Sequence, residues 1–103
     1  MGGINVRFQW QRYLGELGYS IDRAAWGQGF ATEAVSAVTS RAFSECSDLN
    51  RLRAKTHPLN VASQRVLLKA GFLREGVLRQ NSVLRGEAVD EVWFGLLRAE
   101  WSA

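Results

Sequence analysis

The sequence predicts an α+β fold, a mixed sheet of about five strands with two helices in one domain. Three observations carry it. Two stretches, 31–44 and the residues after Asn60, place their apolar side chains at helical spacing, and five short runs around them read as strands. The resulting order is strand, strand, helix, strand, helix, strand, strand, within 103 residues, the size of one small domain. That order interleaves the two element types, so helices must pack on a shared sheet.

Taken along the chain, residues 2–8 and 15–22 read as the first two strands. A glycine-spaced turn follows, Ala25-Trp26-Gly27-Gln28-Gly29-Phe30-Ala31-Thr32-Glu33-Ala34, and runs straight into the first helix, 31–44. Ala31, Ala34, Val35, Val38 and Ala42 form its apolar stripe, with Ser36, Thr39, Ser40 and Glu45 mostly elsewhere. Such a junction suits an anion, because glycines admit a close ligand and the first N–H groups of a helix have no carbonyl a turn earlier to bond. A phosphate or pyrophosphate is one reading; a tight strand-to-helix connection is the other. A third strand spans 52–57 and stops where Pro58 removes a donor and holds His57 extended. Asn60 then N-caps a second helix with Ala62, Val66, Leu67 and Ala70 on one side. Gly71 ends it, leaving Phe72 to fold back on the last turn. The final runs, 72–80 and 89–97, join around Arg85-Gly86-Glu87 as a loose hairpin.

Composition narrows the function. No apolar run approaches the 18 to 20 or so residues of a membrane span, and the start, Met1-Gly2-Gly3-Ile4-Asn5-Val6, has neither the apolar core of a secretion signal nor a myristoylation pattern, which points to the cytoplasm. Cys46 and His57 are the sole cysteine and histidine, so no intrachain disulfide or ordinary zinc site can be built, and no metal is expected. The net charge of +3 is dispersed from Arg7 to Arg98 rather than clustered with aromatics, which argues against a nucleic-acid partner.

Four separated segments together resemble the GNAT superfamily of acetyl-CoA-dependent N-acetyltransferases, in its RimJ/RimL-like branch. Glu16-Leu17-Gly18-Tyr19-Ser20-Ile21 is similar to the central strand and Trp26 through Ala34 to the pyrophosphate loop. His57-Pro58-Leu59-Asn60-Val61-Ala62-Ser63, ending at Lys69-Ala70-Gly71-Phe72, is similar to the helix motif after the third strand. Val89 through Leu97 is similar to the last strand. The resemblance covers 15–101 and is most specific in the Asn60–Ser63–Lys69–Gly71–Phe72 pattern. It departs from the family in two ways: Trp26 stands where the loop pattern has Gln or Arg, and the family's leading strand, two helices and further strand have no counterpart in 1–103, so the chain resembles a GNAT domain without its N-terminal part.

The resemblance implies a mostly antiparallel sheet, acetyl-CoA as cosubstrate and an amine acceptor. It implies that the backbone from Gly27 through Gln28, Gly29, Phe30 and Ala31 to Thr32 grips the pyrophosphate, with the Thr32 hydroxyl an extra donor. The pantetheine arm would pair along the strand ending Ser20-Ile21-Asp22, where that strand splays from the next. Glu16 matches the position of a general base, directly or through water; its other reading is a solvated strand-edge carboxylate. An α-amino acceptor, with a free pKa of about 8, would ask less of that base than lysine near 10.4. The usual acid tyrosine on the second helix is missing, and Ser63 matches the serine that RimL-like enzymes use, with Asn60 beside the pantetheine; the same two residues also make an ordinary cap pair. Lys69 reads as solvated, Trp10, Trp93 and Trp101 as core or interface, and Cys46 as non-catalytic. An exposed first strand predicts pairing with another copy, a homodimer. The competing readings are a CoA-binding module without turnover and, more remotely, a small nucleic-acid binder, which would show steeply salt-dependent affinity.

Overall fold

A computed structural model of the protein describes residues 4–9, 11–19 and 28–101, with the side chains of Tyr19 and Gln28 left aside. Its elements run β1 (Ile4–Gln9), β2 (Leu14–Tyr19), α1 (Gln28–Glu45), β3 (Arg51–Thr56), α2 (Val61–Lys69), β4 (Leu73–Leu84), β5 (Glu87–Leu97) and α3 (Arg98–Trp101). The five strands form one sheet in the order β1-β2-β3-β5-β4, antiparallel throughout except for β2 and β3. The mixed, mostly antiparallel sheet of five strands is therefore the one expected.

The boundaries differ in instructive places. Helix α1 begins three residues before the apolar stripe because Gln28 and Gly29 already turn helically, and its buried side is deeper than the stripe suggested: Thr39 and Phe43 are both buried there. Thr39 approximates valine in shape, which lets it fill a core position, and its hydroxyl has no partner among the described residues. Strand β4 runs on to Leu84, four residues beyond the expectation, across register shifts between Arg74 and Gly76 and between Leu78 and Ser82. The hairpin closes tightly, since Arg85 and Gly86 both have positive φ (53° and 80°), the two-residue turn that suits strand twist. A third helix, the single turn α3, adds to the two expected.

One sheet face is apolar and carries both long helices. Leu52 and Ala54 of β3, Val92, Phe94 and Leu96 of β5 and Leu17 of β2 pack with Ala31, Val35 and Phe43 of α1 and Val66 and Leu67 of α2. Helix α2 is bounded as its sequence demanded. The Asn60 side chain accepts from the Ser63 N–H at 3.1 Å, and Gly71 sits at φ 101°. At that end the N–H of Gly71 donates to Leu68 and that of Phe72 to Leu67, at 3.1 and 3.0 Å.

The other face is polar. Arg51, Arg53 and Lys55 alternate with the buried residues of β3, so they project together to the side without helices. Trp93 of β5 projects to the same side, with the Arg53 guanidinium 5.1 Å and the Lys55 ammonium 5.5 Å from its ring centre.

Candidate active site

The parallel pair is the feature that builds a site. Strands β2 and β3 pair over only three residues, Leu14 with Arg51, Gly15 with Leu52 and Glu16 with Arg53. Beyond Glu16, β2 continues to Tyr19 against β1, and β3 continues to Thr56 against β5. The two strands thus part at their carboxyl ends and leave a V whose vertex is the Glu16–Arg53 pair. Helix α1 follows β2 and α2 follows β3, so in this β-α-β unit both helices begin at the open end of the V.

The expected site residues distribute around that V. Ile21 and Gly27 lie outside the described residues. Gln28, Gly29, Phe30, Ala31 and Thr32 form the first turn of α1. Ala31 is buried in the core, so its backbone alone can face a ligand, whereas Phe30 is exposed and Thr32 half-buried. A Cβ at Gly29 would meet nothing within 4 Å. Space in front of the helix start is open there, and packing does not call for glycine. Asn60 and Ser63 open α2, with Ser63 buried at 6% exposure. Glu16 is not a freely solvated strand-edge group: its side chain is 12% exposed. Its Oε1 accepts from Arg53 Nε at 3.1 Å and its Oε2 lies 3.9 Å from Arg7 Nη2. It stands three residues before the end of β2, about 10 Å at 3.3 Å per residue.

Several groups escaped the sequence reading. Arg53 holds Glu16. Lys55 lies 3.4 Å from Glu91, which also accepts from Asn81 Nδ2 at 2.7 Å. Arg51 forms a two-pronged pair with Glu75, one prong at 2.6 Å. That hydrogen bond holds the Glu75 carboxyl below its ordinary pKa and the Arg51 guanidinium above its own. Alternating cations on β3 were visible in sequence; their partners come from β2, β5 and β4 and were not. Beside the V, a cleft of about 220 Å³ lies between the carboxyl end of β3 and the β4–β5 hairpin, lined in part by Lys55, Thr56 and Glu91. Among the described residues no three His, Cys, Asp or Glu side chains are grouped to hold a metal, and no helix is long and apolar enough to cross a membrane.

A split parallel pair with two helix starts at the split is a crevice at the carboxyl ends of two strands, where α/β units commonly take a ligand. The Acetyltransferase (GNAT) domain model matches residues 1–73, and the chain belongs to this family, in its RimJ/RimL-like branch. It is 38% identical over 87 residues to the "uncharacterized N-acetyltransferase p20" of Bacillus licheniformis, covering 84% of this chain and 48% of that protein. Among solved structures, the ribosomal-protein-S5-alanine acetyltransferase of Vibrio fischeri superposes with a TM-score of 0.86 at 25% identity, over 97% of this chain and 55% of that one. Mycobacterium smegmatis RimJ in complex with CoA-disulfide superposes at 0.85 with 25% identity, over 96% and 48%. The chain spans about half the length of the curated relatives it matches.

Proposed function

We propose that residues 1–103 act as one acetyltransferase unit that binds acetyl-CoA across the V and transfers its acetyl group to a primary amine, a protein N-terminus or a small molecule, in the cytoplasm. The observation that carries this reading is the loss of β2–β3 pairing beyond Glu16 and Arg53, at the end where α1 and α2 begin. A strand edge opened there offers backbone groups to the amides of a pantetheine arm, as in strand addition, along Leu17 to Tyr19. Backbone N–H groups from Gly27 through Gln28, Gly29, Phe30 and Ala31 to Thr32 take the pyrophosphate, favoured by the positive end of an 18-residue helix. Asn60 meets the pantetheine next to the thioester.

In the transfer, the amine nitrogen attacks the thioester carbonyl, a C–N bond forms and the C–S bond breaks. Glu16 takes the proton from the amine through a water, a route that leaves its bond to Arg53 in place, and passes it to solvent; Ser63 gives its hydroxyl proton to the departing thiolate and is reprotonated from solvent, so the thiol leaves and both residues return to their starting states. A complex of the similar RimJ with CoA-disulfide supports the cofactor half of this reading. A homodimer completes the unit at the exposed edge of β1, which among the described residues pairs with β2 alone.

Calorimetric titration of acetyl-CoA into the chain tests it, alongside Gly29→Asp. Because the Gly29 position is open, the carboxylate leaves the fold intact and even suits a helix start, but it repels a pyrophosphate, so affinity falls by about tenfold or more. Saturable binding near one per chain, weakened by Gly29→Asp, is expected. Absence of binding overturns the reading; binding with no thiol released across an amine panel leaves a CoA-binding module without turnover.

A further inference from the structure

Glu16 stands directly between two arginines, Arg7 of β1 on one side and Arg53 of β3 on the other, each its cross-strand partner. Its carboxylate therefore has two places to rest, and they are not equivalent for transfer. Leaning on Arg53 keeps it at the vertex of the V, whereas leaning on Arg7 turns it to the far side of β2 from the opening. The structure holds the first arrangement: Oε1 accepts from Arg53 Nε at 3.1 Å, while Arg7 comes only to 3.9 Å. What separates the two arginines is what lies beyond them. The Arg7 side chain is 78% exposed, so pairing must fix a long, solvated chain, and such pairs are worth little. Arg53 is 29% exposed, and its guanidinium lies 5.1 Å from the Trp93 ring centre. An arginine laid on an aromatic face is attracted to it and has less freedom left to lose when it pairs.

The ring of Trp93, rather than its nitrogen, makes this contact. Its Nε1 is buried with no hydrogen-bond partner among the described residues, so no hydrogen bond accounts for an indole at this position. Lys55 approaches the same ring at 5.5 Å but is paired on its other side with Glu91 at 3.4 Å. Three neighbouring strands are thus connected in line, Trp93 on β5, Arg53 on β3 and Glu16 on β2. We propose that Trp93 is a positioning residue for the transfer: by holding the Arg53 guanidinium, it keeps the Glu16 carboxylate on the V side of β2, where the amine gives up its proton. This rests on the acetyltransferase reading above, with Glu16 as the base, and deepens it by naming the residue that sets the direction of that base.

The test measures thiol release from acetyl-CoA with the fastest acceptor of an amine panel, beside the Arg53 Nε–H resonance of the cofactor-free chain. Trp93→Leu, which fills space without a π face, should lower kcat about fivefold, leave KM for acetyl-CoA unchanged and speed exchange of the Arg53 Nε–H with water. Trp93→Phe also truncates the indole but keeps a π face, and should restore most of the rate. Arg53→Lys, a surface-compatible change that keeps the charge and loses the planar fork, should reproduce the kcat loss without touching Trp93. In a Glu16→Gln background, Trp93→Leu should cost almost nothing further, because it acts only through that carboxylate, whereas a general packing defect would add in full. A Trp93→Leu or Arg53→Lys protein with the parental kcat, an equal loss in Trp93→Phe, or a full further loss in the Glu16→Gln background overturns the proposal. A parent chain that releases no thiol with any amine overturns the acetyltransferase reading itself, and this proposal with it.

Discussion

Arg51, Arg53 and Lys55 stand on alternate positions of β3, and each meets a carboxylate from a different strand: Glu75 of β4, Glu16 of β2 and Glu91 of β5. The pairs differ in what they do. Arg51 and Glu75 reach across Gly95, where an added Cβ would meet the ends of both side chains and oblige them to shift. Since the folded state holds the Glu75 carboxyl below its ordinary pKa, the pair's contribution is fully present above the ordinary glutamate range and is lost as pH falls through the depressed value. Glu75→Gln should thus lower stability at neutral pH, by no more than about 1 kcal/mol for so exposed a pair. The gap between the two proteins in urea denaturation should close in acid; a gap that persists or grows there would remove the pair from the account.

At the scale of elements, α2 is the one whose ends are both written in its own sequence. Asn60→Ala removes the acceptor for the Ser63 N–H and should cost about 1 kcal/mol. Asn60→Asp keeps that acceptor. If its stability matches the parent while acetyl-CoA affinity falls, the amide of Asn60 serves the cofactor as well as the cap; if both are unchanged, its role is the cap alone. Helix α1 contrasts with it at the far end. In its last turn the Phe43 carbonyl is met by Arg98 at 3.0 Å, and the same guanidinium donates to Cys46 and Leu49 just beyond the helix, both at 2.7 Å, while stacking on Phe43. Trp101 of α3 stacks on the same Phe43 ring, 5.1 Å between centres. No local pattern announces a helix cap that arrives from about fifty residues away, and this is why α3 went unforeseen.

For the whole molecule, the sheet has two edges, β1 and β4. β1 is short and mostly exposed, while β4 is longer and shows Leu73, Val77, Leu78 and Val83 to solvent. Unpaired edges of this kind attract a further strand. Sedimentation should show a dimer, and Arg7→Pro, which removes a donor from β1, should return it to monomer. A monomeric parent would exclude self-pairing, and a dimer insensitive to Arg7→Pro but broken by Val77→Pro would move the interface to β4.

Local grammar determined the order of elements, the capped α2 with its Asn60 and Gly71, and the glycine-led start of α1, because caps, turns and periodicity act over a few residues. That grammar showed Asn60 as a cap, whereas Glu16 and Ser63 became candidates through the family resemblance. Tertiary structure alone decided that β2 and β3 part after three pairs, that Arg53 and Arg7 hold Glu16, and that Glu91 is buried against Lys55 and Asn81. Those are cross-strand relations set by register and packing over tens of residues, and a charge on a strand does not by itself reveal which partner the sheet brings beside it.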